Sequence, residues 1–152
     1  MNKVFFDLEW NTGFLDGNSF DEIIEIGAVK TDEEYREIDG FRRLVRPAIY
    51  RKMNPYIQKI LSITMKDLQN EELLQAVAKA FFDWCGDCDT LIAWSGNDFG
   101  VLEKNLAHIG MEVPKRLNRY DVQMAYSYRT EKSIRNYALK TAVEAMELPE
   151  PE

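Results

Sequence analysis

The first apolar run of the chain, residues 4–10, contains two carboxylates, Asp7 and Glu9. Its content of Val and Phe predicts a β-strand, in which residues i and i+2 point to the same face of the sheet. Asp7 and Glu9 therefore lie side by side, and the opposite face receives the apolar side chains of Val4, Phe6 and Leu8. The two carboxylates either lie on the wet face of an edge strand or coordinate a divalent cation, because paired oxygen ligands suit Mg²⁺ or Mn²⁺.

Alternating strand-like and helical segments follow. Apolar runs predict strands over residues 23–29, 35–45, 90–94 and 117–120, and turn-forming residues predict turns at 11–13 and 16–18. Helical periodicity predicts helices over 71–84, 99–109 and 133–147, a further helix after Asp121, and a capping box from Thr64 to Asp67. The short spacing of the first three strands indicates an antiparallel meander, with a bend or bulge at residues 39–40. The order of elements predicts an α/β fold.

Asp98 stands between the fourth predicted strand and the helix that follows it. In an α/β sheet, side chains from different elements converge on a ligand at such junctions. Asp is also a favoured residue at a helix start, where it compensates free N–H groups and the helix dipole. Asp98 is therefore either a third ligand beside Asp7 and Glu9 or a helix-capping residue.

The composition is that of one globular domain. The chain has 152 residues, 45% of them hydrophobic, and a net charge of −7, so residues 1–152 are expected to form a single domain with its own core. No apolar run reaches the roughly 18 residues of a membrane span and no cleavable leader is present, which predicts a soluble, cytoplasmic protein without a membrane partner. The acidic charge argues against a broad basic surface, but not against a site that binds phosphate through metal ions.

Basic residues gather in two places despite this charge. The first group is Arg42, Arg43, Arg46, Arg51 and Lys52, and the second is Arg129, Lys132 and Arg135. Clusters of this kind are either solvated faces or contacts for phosphate groups, and the sequence leaves both interpretations open.

Three parts of the chain resemble the DEDD (DnaQ-like) 3′-5′ exonucleases. Phe-Phe-Asp-Leu-Glu-Trp at residues 5–10, followed by Ile-Ile-Glu-Ile-Gly-Ala-Val at residues 23–29, is similar to the first motif of that superfamily. Trp-Ser-Gly-Asn-Asp-Phe-Gly-Val-Leu at residues 94–102 is similar to the second, particularly in the DEDDh branch near KapD-like and histone-mRNA-exonuclease-like proteins. Residues 62–64 and 67–68 resemble the connecting segment. The similarity spans nearly the whole chain in the right order.

The resemblance implies an RNase H-like fold, with a five-stranded mixed sheet and helices on both faces. It also implies hydrolysis of phosphodiester bonds at single-stranded DNA or RNA 3′ ends by a two-metal mechanism with Mg²⁺ or Mn²⁺. In that mechanism Asp7 bridges the two ions, Glu9 supports the ion on the nucleophile side, and Asp98 reaches the second ion.

The turn after the first motif contacts the terminal nucleotide in the family. Trp10, Asn11 and Thr12 occupy this position here and are expected to bind substrate, although the family places a Thr-rich turn there. Trp10 can stack on a base, as aromatic side chains do with single strands, and is equally a candidate for a core aromatic.

The third motif of the family is missing from the part of the chain that follows the second motif at residues 94–102. It is a His followed by Asp five residues later, or a Tyr followed by Asp four residues later. His108, the single histidine, has Val113 at that spacing, and the later tyrosines also fail: Tyr120, Tyr126, Tyr128 and Tyr137. A truncated C-terminus, lacking one helix with the general base and the fourth carboxylate, is the expected cause, and the chain is expected to be weakly active or inactive. The alternative is a catalytically inactive RNase H-like module that binds nucleic acid or protein.

Trp84-Cys85-Gly86-Asp87-Cys88 imitates a thioredoxin motif. A redox pair needs the start of a helix to lower a thiol pKa, whereas a predicted helix ends here, so redox function is not expected. Two Cys and one distant His also fall short of the four ligands of a structural zinc site.

Overall fold

The computed structural model describes residues 1–131 and 137–149. Its centre is one five-stranded sheet in the order β3-β2-β1-β4-β5. The strands are β1 (Lys3–Leu15), β2 (Asn18–Thr31), β3 (Glu37–Leu44), β4 (Thr90–Ala93) and β5 (Asn118–Asp121). Strands β1, β2 and β3 form the predicted antiparallel meander, and β4 and β5 continue the sheet in parallel. The predicted mixed five-stranded sheet is confirmed.

Six helices are described. They are α1 (Pro55–Leu61), α2 (Met65–Leu68), α3 (Leu74–Cys85), α4 (Gly96–His108), α5 (Val122–Glu131) and α6 (Leu139–Ala145). The capping box at Thr64 is present, with the Thr64 hydroxyl donating to the Asp67 carboxylate at 2.6 Å. The helix predicted over 133–147 is shorter, and residues 132–136 lie outside the described part of the chain. No helix among the described residues is long and apolar enough to cross a membrane.

The turn predicted at residues 11–13 is wrong, because β1 runs on to Leu15 and pairs with β2 along its whole length. The reversal is instead a two-residue hairpin turn at Asp16 and Gly17, whose φ angles are 50° and 81°. Positive φ at both central residues gives a type I′ turn, which matches the twist of the strands. The bulge expected at residues 39–40 lies one residue earlier, where Ile38 is skipped between β2 and β3.

One face of the sheet is closed by α3 and α4. Val4, Phe6 and Leu8 of β1 are buried there against apolar residues of both helices. The Phe6 ring lies 6.3 Å from that of Phe81 in α3 and 5.1 Å from that of Phe99 in α4. This closed face contains the larger of two hydrophobic clusters and fixes α4 against β1.

The opposite face is covered at its two ends only. Near the hairpin, residues of the segment that contains α1 and α2 pack on Ile24 of β2, together with Met53 and Leu68. At the other end of this same face, α5 and α6 lie over β1 and β4 and leave an open apolar groove. Its lining includes Phe5, Ile92 and Tyr126. We call this surface the open face, and Asp7 lies in the wall of its groove.

Candidate active site

Strand β1 presents Asp7 and Glu9 on the open face, opposite in parity to Val4, Phe6 and Leu8. The Asp7 side chain is exposed and that of Glu9 is half-buried. Asp7 lies opposite Gly27 of β2, and Glu9 lies opposite Glu25. Because Gly27 has no side chain, the sheet next to Asp7 stays uncovered.

A β-bulge follows Glu9 directly. The pairing register shifts between Glu9 and Trp10, so that two consecutive β2 residues, Ile24 and Glu25, face a single β1 position. Ile24 packs into the second hydrophobic cluster, and Glu25 stands beside Glu9. Bulges of this kind bend a strand and re-aim side chains, and they are common next to active sites. Here the bulge adds a further carboxylate to the open face.

Asp98 approaches the same place from α4. It lies in the first turn of the helix, is only 6% exposed, and accepts a hydrogen bond of 3.1 Å from the Ser95 hydroxyl. The backbone amide of Leu8, between Asp7 and Glu9 in sequence, lies close to the carboxylates of both Asp7 and Asp98 and favours their ionised forms. The contact of α4 with the closed face therefore sets where Asp98 meets β1.

The pKa values of all three carboxyl groups are raised. Desolvation raises the pKa of Glu9 to about 7, with further contributions from the charges of Asp7, Glu25 and Asp98. The pKa of Asp7 is raised by desolvation at the sheet surface and then by the charge of Asp98, even though its side chain reaches solvent. Burial also raises the pKa of Asp98, against the lowering effect of the Ser95 hydrogen bond. The site therefore concentrates carboxyl groups whose negative charge a cation would neutralise.

The donor set fits a hard divalent cation. Asp7, Glu9 and Asp98 offer carboxylate oxygens only, as Mg²⁺ and Mn²⁺ prefer, and no described residue forms an ion pair with any of the three. Glu25, in contrast, is paired with Arg42 of β3. Within residues 1–131 and 137–149, no group of three or more His, Cys, Asp or Glu side chains is arranged as a ready metal site. The carboxylates thus interact through their charges without forming a closed coordination shell.

Asn11, which the sequence predicts to bind substrate, is buried and hydrogen-bonded to backbone groups. Its side chain is 1% exposed, its amide donates to the carbonyl of Lys52 at 3.1 Å, and its carbonyl accepts from the amide of Asn54 at 2.8 Å. Both polar groups are therefore engaged by backbone of the segment that leads into α1. Its role as a substrate contact stays a prediction.

Trp10 and Thr12 are only partly available. Trp10 has the parity of Leu8 and packs against the cluster on the closed face, which favours its role as a core aromatic. Thr12 is half-buried, and its hydroxyl donates to Asp21 at 2.8 Å. Direct contact of these residues with substrate stays a prediction.

Glu22 and Glu25 of β2 are two further acidic residues near the site. Both are buried, at 5% and 8% exposure. Glu22 accepts hydrogen bonds from three consecutive backbone amides, those of Ala48, Ile49 and Tyr50, at 2.6 to 2.9 Å. Glu25 lies inside an apolar run, the same signal that identified Asp7, and Glu22 directly precedes that run.

His108 and the two cysteines lie apart from the carboxylates. His108 is the last residue of α4, and its exposed ring packs near Phe20. Cys85 and Cys88 are buried free thiols at the end of α3, and burial raises the pKa of Cys85 to about 12. A raised pKa disfavours the thiolate form of both cysteines, in the direction expected from the helix polarity.

Comparison with curated proteins finds relatives among PolC-type DNA polymerases III. The chain is 35% identical over 109 residues to the PolC-type DNA polymerase III of Clostridium perfringens, covering 70% of the chain and 7% of that protein. It is 29% identical over 146 residues to the same enzyme type from Caldanaerobacter subterraneus subsp. tengcongensis, covering 95% of the chain and 10% of that protein. The chain thus spans no more than a tenth of these relatives.

The fold is shared with solved nucleases. The nuclease domain of 3′hExo, a DEDDh family member solved with bound rAMP, superposes with a TM-score of 0.77 at 17% identity. The match covers 97% of the chain and 79% of that domain, which supports the RNase H-like arrangement of sheet and helices. The family model for the RNase T type, described as exonuclease, matches residues 4–152. The chain therefore belongs to this exonuclease family, within the DnaQ-like superfamily.

Proposed function

We propose that this protein hydrolyses phosphodiester bonds at the 3′ ends of single-stranded DNA or RNA, with two Mg²⁺ or Mn²⁺ ions held by Asp7, Glu9 and Asp98. The observation that carries the proposal is the electrostatic coupling of these carboxylates, which β1 and α4 bring to one side of the sheet. All three pKa values are raised, those of Asp7 and Glu9 partly by the charge of Asp98, and carboxylates in this state without a cationic partner match a site completed by divalent cations.

The three carboxylates have different roles in holding the ions. Asp7, the most exposed of the three, faces the groove and is placed to hold both ions. Glu9, which lies opposite Glu25 of the Glu25–Arg42 pair, would hold one ion, and Asp98, oriented by Ser95, would hold the other. When bound, the ions activate a water molecule and stabilise the leaving 3′ oxygen.

Gly27 and His108 bear on where the substrate and the general base can lie. Gly27 leaves the strand next to Asp7 free of side chains, which makes room for a nucleotide on the sheet. The ring of His108 lies near Phe20 rather than beside the carboxylates, so the general base is not this histidine. A base from the third motif of the family stays the expectation.

The test is a pair of substitutions that keep size and remove charge, Asp7→Asn and Asp98→Asn. Each is expected to reduce the Mn²⁺-dependent release of mononucleotides from an oligonucleotide labelled at its 3′ end to the level seen without metal, because it removes a metal ligand. Asp87→Asn changes an exposed carboxylate outside the site and serves as the matched control. Unchanged release in either site variant would contradict the assigned roles.

Direction is tested on the same oligonucleotide with a 3′-phosphate. A 3′-5′ exonuclease releases the terminal nucleotide first and is expected to be slowed by this block, whereas a 5′ block has no effect. Release that starts at the 5′ end would overturn the proposed direction.

The second candidate function is a module that binds nucleic acid or protein without cleaving it. The observation that favours it is the absence of the third motif from the sequence that follows residues 94–102. One measurement distinguishes the two candidates. A binding module binds the oligonucleotide but does not cleave it in Mn²⁺. A nuclease cleaves it, and Asp7→Asn abolishes that cleavage.

A further inference from the structure

The charges of the chain are strongly segregated along the sequence. Residues 41–66, which we call the basic segment, contain seven cationic side chains and no acidic one, whereas all 26 acidic residues lie outside it. The cations are Arg42, Arg43, Arg46, Arg51, Lys52, Lys59 and Lys66. In a chain with a net charge of −7, this segment is a local reversal of sign.

All seven cations are exposed, and most are not neutralised. Arg42 is paired with Glu25, and Arg43 with Glu72. The other five form no ion pair with any residue of the described ranges: Arg46, Arg51, Lys52, Lys59 and Lys66. Their charge is therefore available to an external polyanion.

The basic segment is held rigidly beside the candidate active site. Glu22 of β2 binds the amides of residues 48–50, and Asn11 of β1 binds backbone at Lys52 and Asn54. A Cβ atom on Gly13 would lie 2.6 Å from the Tyr50 ring, so this ring rests directly on β1. Asn11 is two residues from Glu9, and these contacts therefore place the segment next to the carboxylates.

Helix α1 adds an exposed aromatic side chain to this surface. Ile57 and Leu61 pack inward on the second hydrophobic cluster, whereas Tyr56 and Ile60 are 70% and 57% exposed. Lys59 is exposed on the same helix. Cations interleaved with an exposed aromatic fit single-stranded nucleic acid, in which phosphates meet the cations and a base stacks on the ring.

We propose that the basic segment binds the part of a single-stranded nucleic acid that lies 5′ to the terminal nucleotide, with Tyr56 as a stacking platform for one base. The assignment of the 3′ end to the carboxylates rests on the proposed function, but the binding of the strand does not. The segment explains how an acidic protein holds a polyanion, because no acidic residue interrupts the cations of residues 41–66.

Binding is measured by fluorescence anisotropy with labelled oligonucleotides of 2 and 12 nucleotides in EDTA, so that cleavage does not interfere. The variant Lys52→Gln/Lys59→Gln is expected to weaken binding of the 12-mer about tenfold or more. Each lost phosphate contact lowers the salt dependence for a single strand by about 0.7, so the slope of log affinity against log salt should fall by about 1.4. The control Lys104→Gln/Lys115→Gln removes the same charge from exposed lysines outside the segment and should change only the weak non-specific attraction.

Stacking is tested separately from charge. Tyr56→Ala is expected to weaken binding of the 12-mer about fivefold or more, and Tyr56→Phe should restore it, because both aromatic rings stack on bases. Tyr128→Ala removes an equally exposed tyrosine from α5 and is the matched control. A loss in Tyr56→Phe as large as that in Tyr56→Ala would overturn the stacking role.

Three outcomes would overturn the proposal as a whole. In the first, the Lys52→Gln/Lys59→Gln variant binds the 12-mer as the wild type does. In the second, the variant loses as much affinity for the dinucleotide as for the 12-mer, which would place the contact at the terminal nucleotide. In the third, polyglutamate competes as well as the oligonucleotide, which would indicate an acidic protein partner. Segment-dependent binding by a wild-type protein that cleaves nothing would instead refute the proposed function and leave this inference standing.

Discussion

The closed face and the open face of the sheet are built from alternate residues of the same strand, and they differ in almost every other respect. On the closed face, Phe6 is 5% exposed and touches rings of α3 and α4. One residue later on the open face, Asp7 is exposed beside other carboxylates and a bare glycine. The first arrangement lowers the free energy of the fold, whereas the second raises it and leaves room for ligands.

The difference shows that residues for stability and residues for the candidate site alternate along one strand, and are not kept in distant parts of the molecule. Neighbouring residues of β1 can serve opposite purposes, because successive side chains point to opposite faces. Each substitution below tests one side of this division, and they are ordered from the largest expected effect.

Phe6→Ala is expected to cost about 3–5 kcal/mol of unfolding free energy, as is usual for a buried aromatic that leaves a cavity. Phe5→Ala, the neighbouring residue on the open face, should cost less than half of this, and Asp7→Ala should be neutral or stabilising because it removes charge repulsion. Urea unfolding of the three variants measures the contrast. Equal losses for Phe5→Ala and Phe6→Ala would mean that the two faces contribute alike to stability.

Asn105→Leu tests a buried polar side chain that α4 directs at the closed side of β2. Asn105 is 3% exposed, donates to the carbonyl of Asp21 at 2.7 Å and accepts from the amide of Ile23 at 3.1 Å. The variant should lose about 1–3 kcal/mol, because it leaves both buried backbone groups without a partner. Lys104→Leu, an exposed neighbour on the same helix, is the control in the same urea titration, and a comparable loss there would point to helix propensity instead.

Gly13→Ala tests the end of β1 where Tyr50 rests on it. The new Cβ would meet the Tyr50 ring at 2.6 Å, and that ring is held by a hydrogen bond of 2.9 Å from its hydroxyl to the carbonyl of Phe20. A loss of about 1–2 kcal/mol is expected from the displaced ring. In a Tyr50→Ala background the same change should cost almost nothing, and thermal unfolding of the double-mutant cycle shows whether the two residues are coupled.

Glu9→Gln tests the charge on the open face through its pH dependence. The folded pKa of Glu9 is about 7 and its ordinary value is 4.5, so the folded state binds the proton more tightly. Stability therefore falls as pH rises from 4.5 to 7, and the full penalty is present above pH 7. Since Glu9 is half-exposed, we expect Glu9→Gln to be more stable than the wild type by roughly 1 kcal/mol at pH 8 after solvent screening, and by nothing at pH 4. Thermal shifts in EDTA at both pH values measure this, and a difference that persists at pH 4 would assign it to packing.

Local periodicity was enough to predict the strand that carries Asp7 and Glu9 and their common face. The same holds for Asp98, because the strand and helix on either side of it are both strongly apolar on one side. These predictions rest on neighbours within one turn or one strand, where side-chain direction follows directly from residue number. The mixed five-stranded sheet, in contrast, was implied by the resemblance to the DnaQ-like exonucleases, because local periodicity does not determine which strands pair in parallel.

Asn11 could not be assigned from the sequence, because its partners are 41 and 43 residues away. The residues 11–13 have the composition of a turn, and only long pairing with β2 keeps them in a strand. The bulge at Ile24 and Glu25 was also missed, since the run from Ile23 to Val29 is compatible with regular alternation. In each case a tertiary contact overrides a local preference.

The three amides that bind the Glu22 carboxylate lie in a segment without helix or strand, yet they are tied to a central strand. Such segments ordinarily open by themselves and lose their amide hydrogens to solvent quickly. Here the amides of Ala48, Ile49 and Tyr50 can be released only when Glu22 lets go of them or when β2 itself opens. The slow exchange of these three protons would thus make an irregular stretch of chain a reporter of the cooperative opening of the sheet.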